Sequence, residues 1–202
     1  MLNKIKKIIW IITSLRYKLS FKKFGRFSYL KSPIFLNNTG NIQVGNNVKI
    51  WHHARLEAVK KYQDNRFNPS IIIEDDVAIQ QNFHCTCASE IRIGKGTLIT
   101  QNVGVFDIHH NYHEIDKSII YQDINTRSIE IGENCFIGMN TIILPGTKLG
   151  KQNIIGAGSV VSGKFPDYCV IAGTPAKVIK KYNFITKQWE KCTEGESIKS
   201  EK

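Results

Sequence analysis

The chain of 202 residues is long enough for one domain with a buried core, and its 42% hydrophobic and 22% charged residues are ordinary for a soluble globular protein. Its net charge of +11 lies in the first 56 residues, because they hold eleven lysines and arginines and no acidic residue, while residues 57–202 hold 17 residues of each sign. This local excess argues against a uniformly basic nucleic-acid binder. The five cysteines, an odd number without a framework spacing, indicate reduced thiols in a cytoplasmic protein.

The first predicted element is an amphipathic helix inside a basic segment, residues 1–38. Its apolar residues recur at helical spacing, at Ile5, Ile8, Ile9, Ile12, Leu15 and Leu19. The apolar run 8–12 is much shorter than the ~20 residues of a bilayer-spanning helix, and no cleavage site of small residues follows it. The helix packs on its own domain or on a neighbouring subunit, or it lies on an anionic membrane surface that residues 1–31 contact; the two roles are compatible.

A period of six residues dominates the chain from residue 129 onward. A large aliphatic residue occupies every sixth position, at Ile131, Ile137, Ile143, Leu149, Ile155 and Val161. The residues two positions earlier are mostly small or β-branched, and glycine often follows the aliphatic residue. A unit this short predicts a parallel β-helix, in which three short strands and three turns form a triangular coil. The aliphatic side chains fill the core, and we expect the glycines at the tight corners.

The same period extends upstream less regularly and predicts a β-helix domain over residues 39–168. Val44 and Ile50 begin its first coil, and irregular insertions interrupt the period at about 56–69 and 85–90. Because a β-helix stacks its strands along one axis, each insertion must leave the stack at a corner.

The period fails altogether over residues 107–128, which predicts an extruded loop. Long loops within a compact fold are usually functional. This loop carries three of the six histidines of the chain, His109, His110 and His113.

Beyond the repeat, we expect residues 169–192 to form a C-terminal segment with a short helix that reaches Trp189. The polar tail 193–202 is expected to be disordered.

Four motifs in the second half of the chain carry a family resemblance. They are Ile131-Gly132-x-x-x-Phe136-Ile137-Gly138-x-Asn140, Leu144-Pro145-Gly146, Ile155-Gly156-Ala157-Gly158-Ser159-Val160-Val161 and Gly173-Thr174-Pro175-Ala176-Lys177. With them the chain resembles the hexapeptide-repeat O-acetyltransferases over roughly residues 40–192, most closely the branch that modifies polysaccharides. The resemblance implies an all-β, left-handed parallel β-helix that uses acetyl-CoA as co-substrate, needs no metal and assembles as a homotrimer.

In that family a histidine on the extruded loop is the general base. The segment from Asp107 to His110 looks like the family's Asp-x-x-His pattern, which implies His110 as the base and leaves His109 as the alternative. Asp107 either orients the base or holds the turn of the loop. A neutral imidazole, with a reference pKa of ~6.5, can take the proton of a sugar hydroxyl as the hydroxyl attacks a thioester. Direct transfer of this kind needs no acyl-enzyme.

The resemblance also implies residues that bind the two substrates. Asn82 matches an asparagine that positions acceptor or acetyl group, although a structural role at a tight corner is the alternative. His84 stands where the family more often has asparagine and is a second candidate acceptor contact. The implied CoA-binding residues lie in a groove between neighbouring β-helices and are Asn140, Ala157, Gly158, Ser162, Lys177, Lys180 and Lys181. Lys180 and Lys181 either bind the CoA phosphates or form a solvated basic face.

The predicted function is acetyl transfer to a sugar hydroxyl of a surface-polysaccharide precursor, such as that of lipopolysaccharide, capsule or exopolysaccharide. A lipid-linked acceptor at the inner face of the cytoplasmic membrane would account for the basic N-terminus of a cytoplasmic enzyme. No nucleic acid is expected as a partner.

Two alternatives stay open at the level of the sequence. An N-acyltransferase that acts on a nucleotide-linked amino sugar would use the same loop histidine, although such enzymes carry a separate domain before the β-helix. A non-catalytic or zinc-binding β-helix is the other alternative, because His84, His109, His110 and His113 could ligate zinc.

Overall fold

Short strands wound into successive coils account for most of the chain in this computed structural model, which describes residues 2–192 apart from the side chains at 2–4, 6 and 7. The predicted disordered tail 193–202 lies outside the described residues. The chain begins with helix α1 (Leu2–Ser14), which continues into a 3-10 turn over Leu15–Leu19. Two further 3-10 turns lie at Thr39–Asn41 and Ile119–Tyr121.

The strands of the first four coils follow in chain order. The first coil contains β1 (Lys23–Phe24), β2 (Tyr29–Leu30) and β3 (Phe35–Asn37), and the second contains β4 (Ile42–Val44), β5 (Lys49–Ile50) and β6 (Arg55–Ala58). A hairpin of β7 (Lys61–Tyr62) and β8 (Asn65–Arg66) precedes the third coil, β9 (Ser70–Ile73), β10 (Ala78–Ile79) and β11 (His84–Cys87). The fourth coil is β12 (Glu90–Ile93), β13 (Leu98–Ile99) and β14 (Gly104–Phe106).

A second hairpin separates the fourth coil from the fifth. It consists of β15 (Ile108–His110) and β16 (Ile124–Thr126). The fifth coil is β17 (Ile129–Ile131), β18 (Phe136–Ile137) and β19 (Ile142–Ile143), and the sixth is β20 (Lys148–Leu149), β21 (Ile154–Ile155) and β22 (Val160–Val161). The described chain ends with β23 (Lys164–Phe165), β24 (Cys169–Gly173), β25 (Ala176–Asn183) and β26 (Gln188–Lys191).

Corresponding strands of successive coils pair in parallel and form three sheets. The first sheet holds β1, β4, β9, β12, β17, β20 and β23, the second begins with β2, β5, β10, β13, β18, β21 and β24, and the third holds β3, β6, β11, β14, β19 and β22. The strands β25 and β26 extend the second sheet in antiparallel fashion. The predicted all-β, left-handed parallel β-helix with a short N-terminal helix is thereby confirmed.

The six-residue period places aliphatic side chains above one another in the core. In the second sheet one register position is held by Leu30, Ile50, Ile79, Ile99, Ile137, Ile155 and Ile171. All seven side chains are buried, and full burial of each contributes roughly 1.5–3 kcal/mol. Because the coils stack at the strand spacing of about 4.8 Å, every coil adds one such layer.

The glycines after the core aliphatics do not occupy the left-handed corners, so that expectation is wrong. Positive φ falls two residues later, at Asn134 (55°) and Asn140 (58°). The glycines are needed because the next coil lies against them. A Cβ atom at Gly132 would lie 2.6 Å from the carbonyl carbon of Gly150, and one at Gly138 would lie 2.6 Å from the nitrogen of Ala157.

The β-helix begins at Lys23, so the predicted boundary at residue 39 is wrong. Phe24 pairs in register with Val44 and lies in the core. One aromatic residue, Phe24, stands in an aliphatic position there, while Leu30 and Leu36 keep the period of six. The two upstream insertions are also smaller than expected, since residues 56–58 and 85–87 belong to β6 and β11.

The predicted C-terminal helix is wrong, because β25 and β26 form an antiparallel hairpin in that segment. Alternate residues of β25 are buried in its first half, at Ala176 and Val178, as in a strand with one face on the core. The turn is closed by Asn183, whose Oδ1 accepts hydrogen bonds from the nitrogens of Ile185 and Thr186. These local contacts favour a hairpin over a helix.

Helix α1 packs on the first coil through one face. The Ser14 hydroxyl oxygen accepts a hydrogen bond of 3.0 Å from the nitrogen of Leu30. The Lys31 ammonium lies 3.1 Å from the ring centre of Trp10 and 3.7 Å from that of Trp51, a cation–π arrangement that fastens the helix to the β-helix.

Within residues 2–192, no helix is both long and apolar enough to cross a bilayer.

We predict that Ile73→Ala will lower the stability of the fold by about 2–5 kcal/mol, because it opens a cavity in the fully buried column that Val44 and Ile93 continue. The neighbouring Ile72→Ala is the matched control, since its side chain faces outward and is only partly buried. Thermal unfolding of both variants measures the difference. Equal losses would contradict the assignment of the core column.

Candidate active site

The second hairpin, called here the His ribbon (β15 and β16), leaves the β-helix where the third sheet meets the first. Its strands pair Ile108 with Thr126, His109 with Asn125 and His110 with Ile124. Successive side chains of a strand point to opposite faces. His109 and His110 therefore lie on opposite sides of the ribbon, and both are exposed.

His110 faces a cavity of about 430 Å³, the His110 cavity. Its wall combines side chains from the first three coils, the first hairpin and the ribbon, namely Asn37, Asn38, Glu57, Val59, Lys60, Lys61, Tyr62, Thr86, Ile108, His110 and Ile124. Amides, a carboxylate and ammonium groups in one open cavity provide donors and acceptors for a ligand rich in hydroxyl groups. The cavity reaches from the ribbon to the first coil.

The first hairpin brings Tyr62 to His110 across 48 positions of sequence. The Tyr62 hydroxyl lies 3.4 Å from Nδ1 of His110, and the two rings meet edge to face with their centres 5.4 Å apart. The same hydroxyl is 3.4 Å from the carbonyl oxygen of Ile120, which also accepts a hydrogen bond from Nε2 of Gln63. The hairpin thus supports both the histidine and the loop that follows it.

His109 faces a second cavity of about 350 Å³ on the other side of the ribbon, the His109 cavity. Asn125, Arg127, Leu144, Pro145 and Ser162 line it with His109. The predicted CoA-binding residue Ser162 is thus brought to the ribbon, on the side opposite His110.

Asp107 is fully buried at the base of the ribbon. Its carboxylate accepts hydrogen bonds from the backbone nitrogens of Ala88 and Ser89, at 2.7 and 2.8 Å, and from the Cys87 thiol. Burial raises the pKa of this carboxyl above its ordinary value, and the two backbone N–H groups oppose that shift. These contacts correspond to the second of the two predicted roles, holding the turn of the loop.

Asn82 and Asn140 belong to one ladder of side chains at the corner between the second and third sheets. The Asn82 amide donates to Asn102 at 2.9 Å, and the Asn102 amide donates to Asn140 at 3.0 Å. Asn82 also lies 3.3 Å from Nδ1 of His53. All three asparagines have φ near +60°, so a structural role at this corner is evident beside any role in binding.

His84 lies on the outer face of the third sheet. Its Nε2 is 3.2 Å from the Thr86 hydroxyl, and Thr86 lines the His110 cavity. Partial burial lowers the pKa of His84, and the nearby Arg55 guanidinium lowers it further. Both effects favour the neutral imidazole, and the Glu57 carboxylate opposes them.

Most of the predicted CoA-binding residues lie away from the ribbon. Ala157 and Gly158 are exposed at the same corner as Asn140, and among residues 2–192 a Cβ at Gly158 would meet nothing within 4 Å beyond its chain neighbours. Lys177, Lys180 and Lys181 lie on β25, where they pair with Ala172, Val170 and Cys169 of β24. In a single chain, the third sheet separates this group from His109, His110 and Ser162.

Sequence reasoning missed the residues of the first hairpin and the first two coils. Tyr62, Glu57 and Asn37 face the His110 cavity. The interruption of the period at about 56–69 was a signal for Tyr62 and Glu57, and Asn37 had none. Among residues 2–192, no three histidine, cysteine or acidic side chains converge as the ligands of a metal ion would.

We predict that Asp107→Ala will lower the melting temperature, because two backbone N–H groups lose their acceptor and each such loss costs about 1–3 kcal/mol. Asp107→Asn keeps one acceptor oxygen and is expected to lose less. Thermal unfolding measures whether the melting temperature falls from wild type to Asp107→Asn and further to Asp107→Ala. If both variants keep full stability and lose only activity, Asp107 orients the base instead.

The family model described as Bacterial transferase hexapeptide (six repeats) matches residues 128–163. The chain is 34% identical over 170 residues to WbbJ of Escherichia coli (strain K12), which is named for O-acetyl transfer in lipopolysaccharide biosynthesis, over 81% of this chain and 83% of WbbJ. It is 28% identical to the galactoside O-acetyltransferase of the same strain, over 82% of this chain and 66% of that protein.

A solved structure shares the fold. AntD, an N-acyltransferase from Bacillus cereus in complex with dTDP and 3-hydroxybutyryl-CoA, superposes with a TM-score of 0.68 at 19% identity, over 84% of this chain and 87% of AntD. The repeat, the fold and the similarity to WbbJ all indicate the same family. The chain belongs to the hexapeptide-repeat acetyltransferase family.

Proposed function

We propose that this acetyltransferase moves the acetyl group of acetyl-CoA to a sugar hydroxyl of a surface-polysaccharide precursor, with His110 as general base. The observation that carries the proposal is the position of His110 on the wall of an open polar cavity, with a tyrosine hydroxyl at its Nδ1. The name of WbbJ supports this class of acceptor.

The reaction needs one proton acceptor and no covalent enzyme intermediate. Nε2 of His110 takes the proton of the attacking hydroxyl as the hydroxyl oxygen bonds to the thioester carbonyl carbon. The tetrahedral intermediate then collapses, the carbon–sulfur bond breaks, and the imidazolium returns the proton to the CoA thiolate. The products are an acetyl ester and free CoA.

Tyr62 supports the required tautomer of His110. The Ile120 carbonyl oxygen can only accept, so the Tyr62 hydroxyl donates its proton there and its oxygen accepts from Nδ1–H of His110. Nε2 is then left with a free lone pair, which a general base requires.

Both reacting groups must meet at Nε2 of His110. We place the acceptor sugar in the His110 cavity, among Asn37, Glu57 and Lys61. The CoA portion of the donor passes the His109 cavity, where Ser162 is found, and its acetyl end extends to His110. Asn82 and His84 then contact the acceptor or the acetyl group from the other corner of the third sheet.

The residues predicted to bind CoA lie at two separate corners of one chain, and this separation supports a homotrimer. Asn140, Ala157, Gly158 and the lysines of β25 lie at a different corner from Ser162 and the ribbon. One CoA can contact both sets only if neighbouring β-helices supply one corner each. Lys177, Lys180 and Lys181 then face the CoA phosphates.

Transfer to an amine of a nucleotide-linked amino sugar is the second candidate, and the nature of the product distinguishes the two. An acetyl ester is released by mild alkali, whereas an acetamide survives it.

We predict that His110→Ala will reduce acetyl transfer by about 10²–10⁴-fold, because the hydroxyl loses its base. His109→Ala is the matched control on the opposite face of the ribbon and is expected to keep far more activity. Labelled acetyl-CoA and lipid-linked glycans from cells that lack this chain serve as donor and acceptor pool. Full activity of His110→Ala, or inactivity confined to His109→Ala, would reject His110 as the base.

We predict that Tyr62→Phe will lower kcat about fivefold, since the hydrogen bond to Nδ1 of His110 is worth about 1 kcal/mol. KM for acetyl-CoA should stay unchanged, because Tyr62 lies on the side away from the His109 cavity. An unchanged kcat would show that the tyrosine only packs against the ring.

A further inference from the structure

Helix α1 is fastened to the β-helix by one face and leaves its apolar face uncovered. Trp10 and Ser14 hold the inner face against Lys31 and Leu30. The outer face carries Ile5, Ile8, Ile9 and Ile12, which are 47–58% exposed. The helix therefore packs on its own domain through its other face. These contacts fix the isoleucine stripe in an outward orientation.

A cavity of about 330 Å³ opens beside this stripe, between the 3-10 turn and the first coil. Ile11, Leu15 and Phe24 contribute apolar side chains to its wall, and Lys18 and Arg26 contribute cations. Phe27, which also lines it, is 66% exposed. Two cations over an apolar wall match a phosphate that is attached to acyl chains.

The charge of the N-terminal region identifies the surface that would cover the stripe. No acidic residue precedes Glu57, and eleven basic residues do. A second copy of the same surface would bring like charges together, whereas an anionic surface complements them. An amphipathic helix with a basic polar face lies in the plane of such an interface.

We propose that the docking surface, which consists of the outer face of α1, the cavity beside it and Phe27, binds an anionic phospholipid bilayer. The helix lies in the headgroup region with its isoleucines toward the acyl chains. Lys18 and Arg26 contact lipid phosphates.

The docking surface and the His110 cavity lie at the same end of the molecule, and this step rests on the proposed function. The cavity begins at Asn37 and Asn38 of the first coil, the coil on which α1 packs. The His ribbon leaves the fourth coil, three spacings or about 15 Å further along the axis. A sugar joined to a lipid through a phosphate can therefore reach His110 while its lipid stays in the bilayer, and the acceptor is lipid-linked.

Vesicle co-sedimentation of the full chain tests the docking surface. Wild type should bind phosphatidylcholine vesicles only when they contain phosphatidylglycerol. The double variant Ile8→Glu, Ile12→Glu should lose binding by tenfold or more, on the order of what two buried charges cause. Ile185→Glu is the matched control, because Ile185 is 93% exposed in the turn before β26.

A second pair separates charge from apolar contact. Lys18→Glu, Arg26→Glu should weaken binding to the anionic vesicles on the order of tenfold or more, whereas Lys187→Glu, Lys191→Glu should not. Unchanged binding of either test variant, or equal binding of wild type to neutral vesicles, would overturn the proposal. A change in oligomeric state of the isoleucine variant, measured by light scattering, would instead assign the stripe to a second copy of the chain.

Activity measurements separate this proposal from the proposed function. With a delipidated oligosaccharide released from the acceptor, the docking variants should keep wild-type acetyl transfer, and with the lipid-linked acceptor in vesicles they should lose it. Vesicle binding without any transfer would leave the docking surface standing and reject the function. Transfer without vesicle binding would reject the docking surface and leave the proposed function standing.

Discussion

The structure depends on the in-register stacking of aliphatic side chains along the β-helix. Each coil contributes one residue to columns such as Ile79, Ile99 and Ile137, and the parallel ladders hold the columns in place. Each coil packs on the coils before and after it, and an extra residue within a strand would shift its side chains out of these columns. A segment that breaks the period must therefore leave the stack at a corner. The His ribbon and the first hairpin are such segments, so the rule that builds the core also places the His110 cavity outside it.

The two histidines gain different surroundings from one simple fact of strand geometry. His109 and His110 are adjacent in sequence, yet one faces Ser162 and Pro145 and the other faces Tyr62. A single ribbon thus separates two cavities without a further domain. Asp107 anchors the ribbon by binding the backbone of residues 88 and 89. The rigid base and the contact with Tyr62 together restrict the position of the imidazole.

The sequence predicted the fold well where the period is strict and poorly where it is not. Six aliphatic residues in register sufficed for the coils from Ile131 to Val161. The first coil is harder to predict, because Phe24 occupies its first aliphatic position and only Leu30 and Leu36 keep the period. The C-terminal hairpin depends on a turn at Asn183 and on pairing with β24, which a helical interpretation of the same residues ignores. Tyr62 could not be predicted, since its approach to His110 requires two insertions to fold over the same corner.

The first hairpin leaves the stack two coils before the His ribbon, yet at the same corner. Neither insertion contributes to the aliphatic columns. Their lengths and side chains can therefore drift over evolutionary time without loss of the fold. The wall of the His110 cavity can therefore change through the insertion at residues 59–69 while the stacked coils stay as they are.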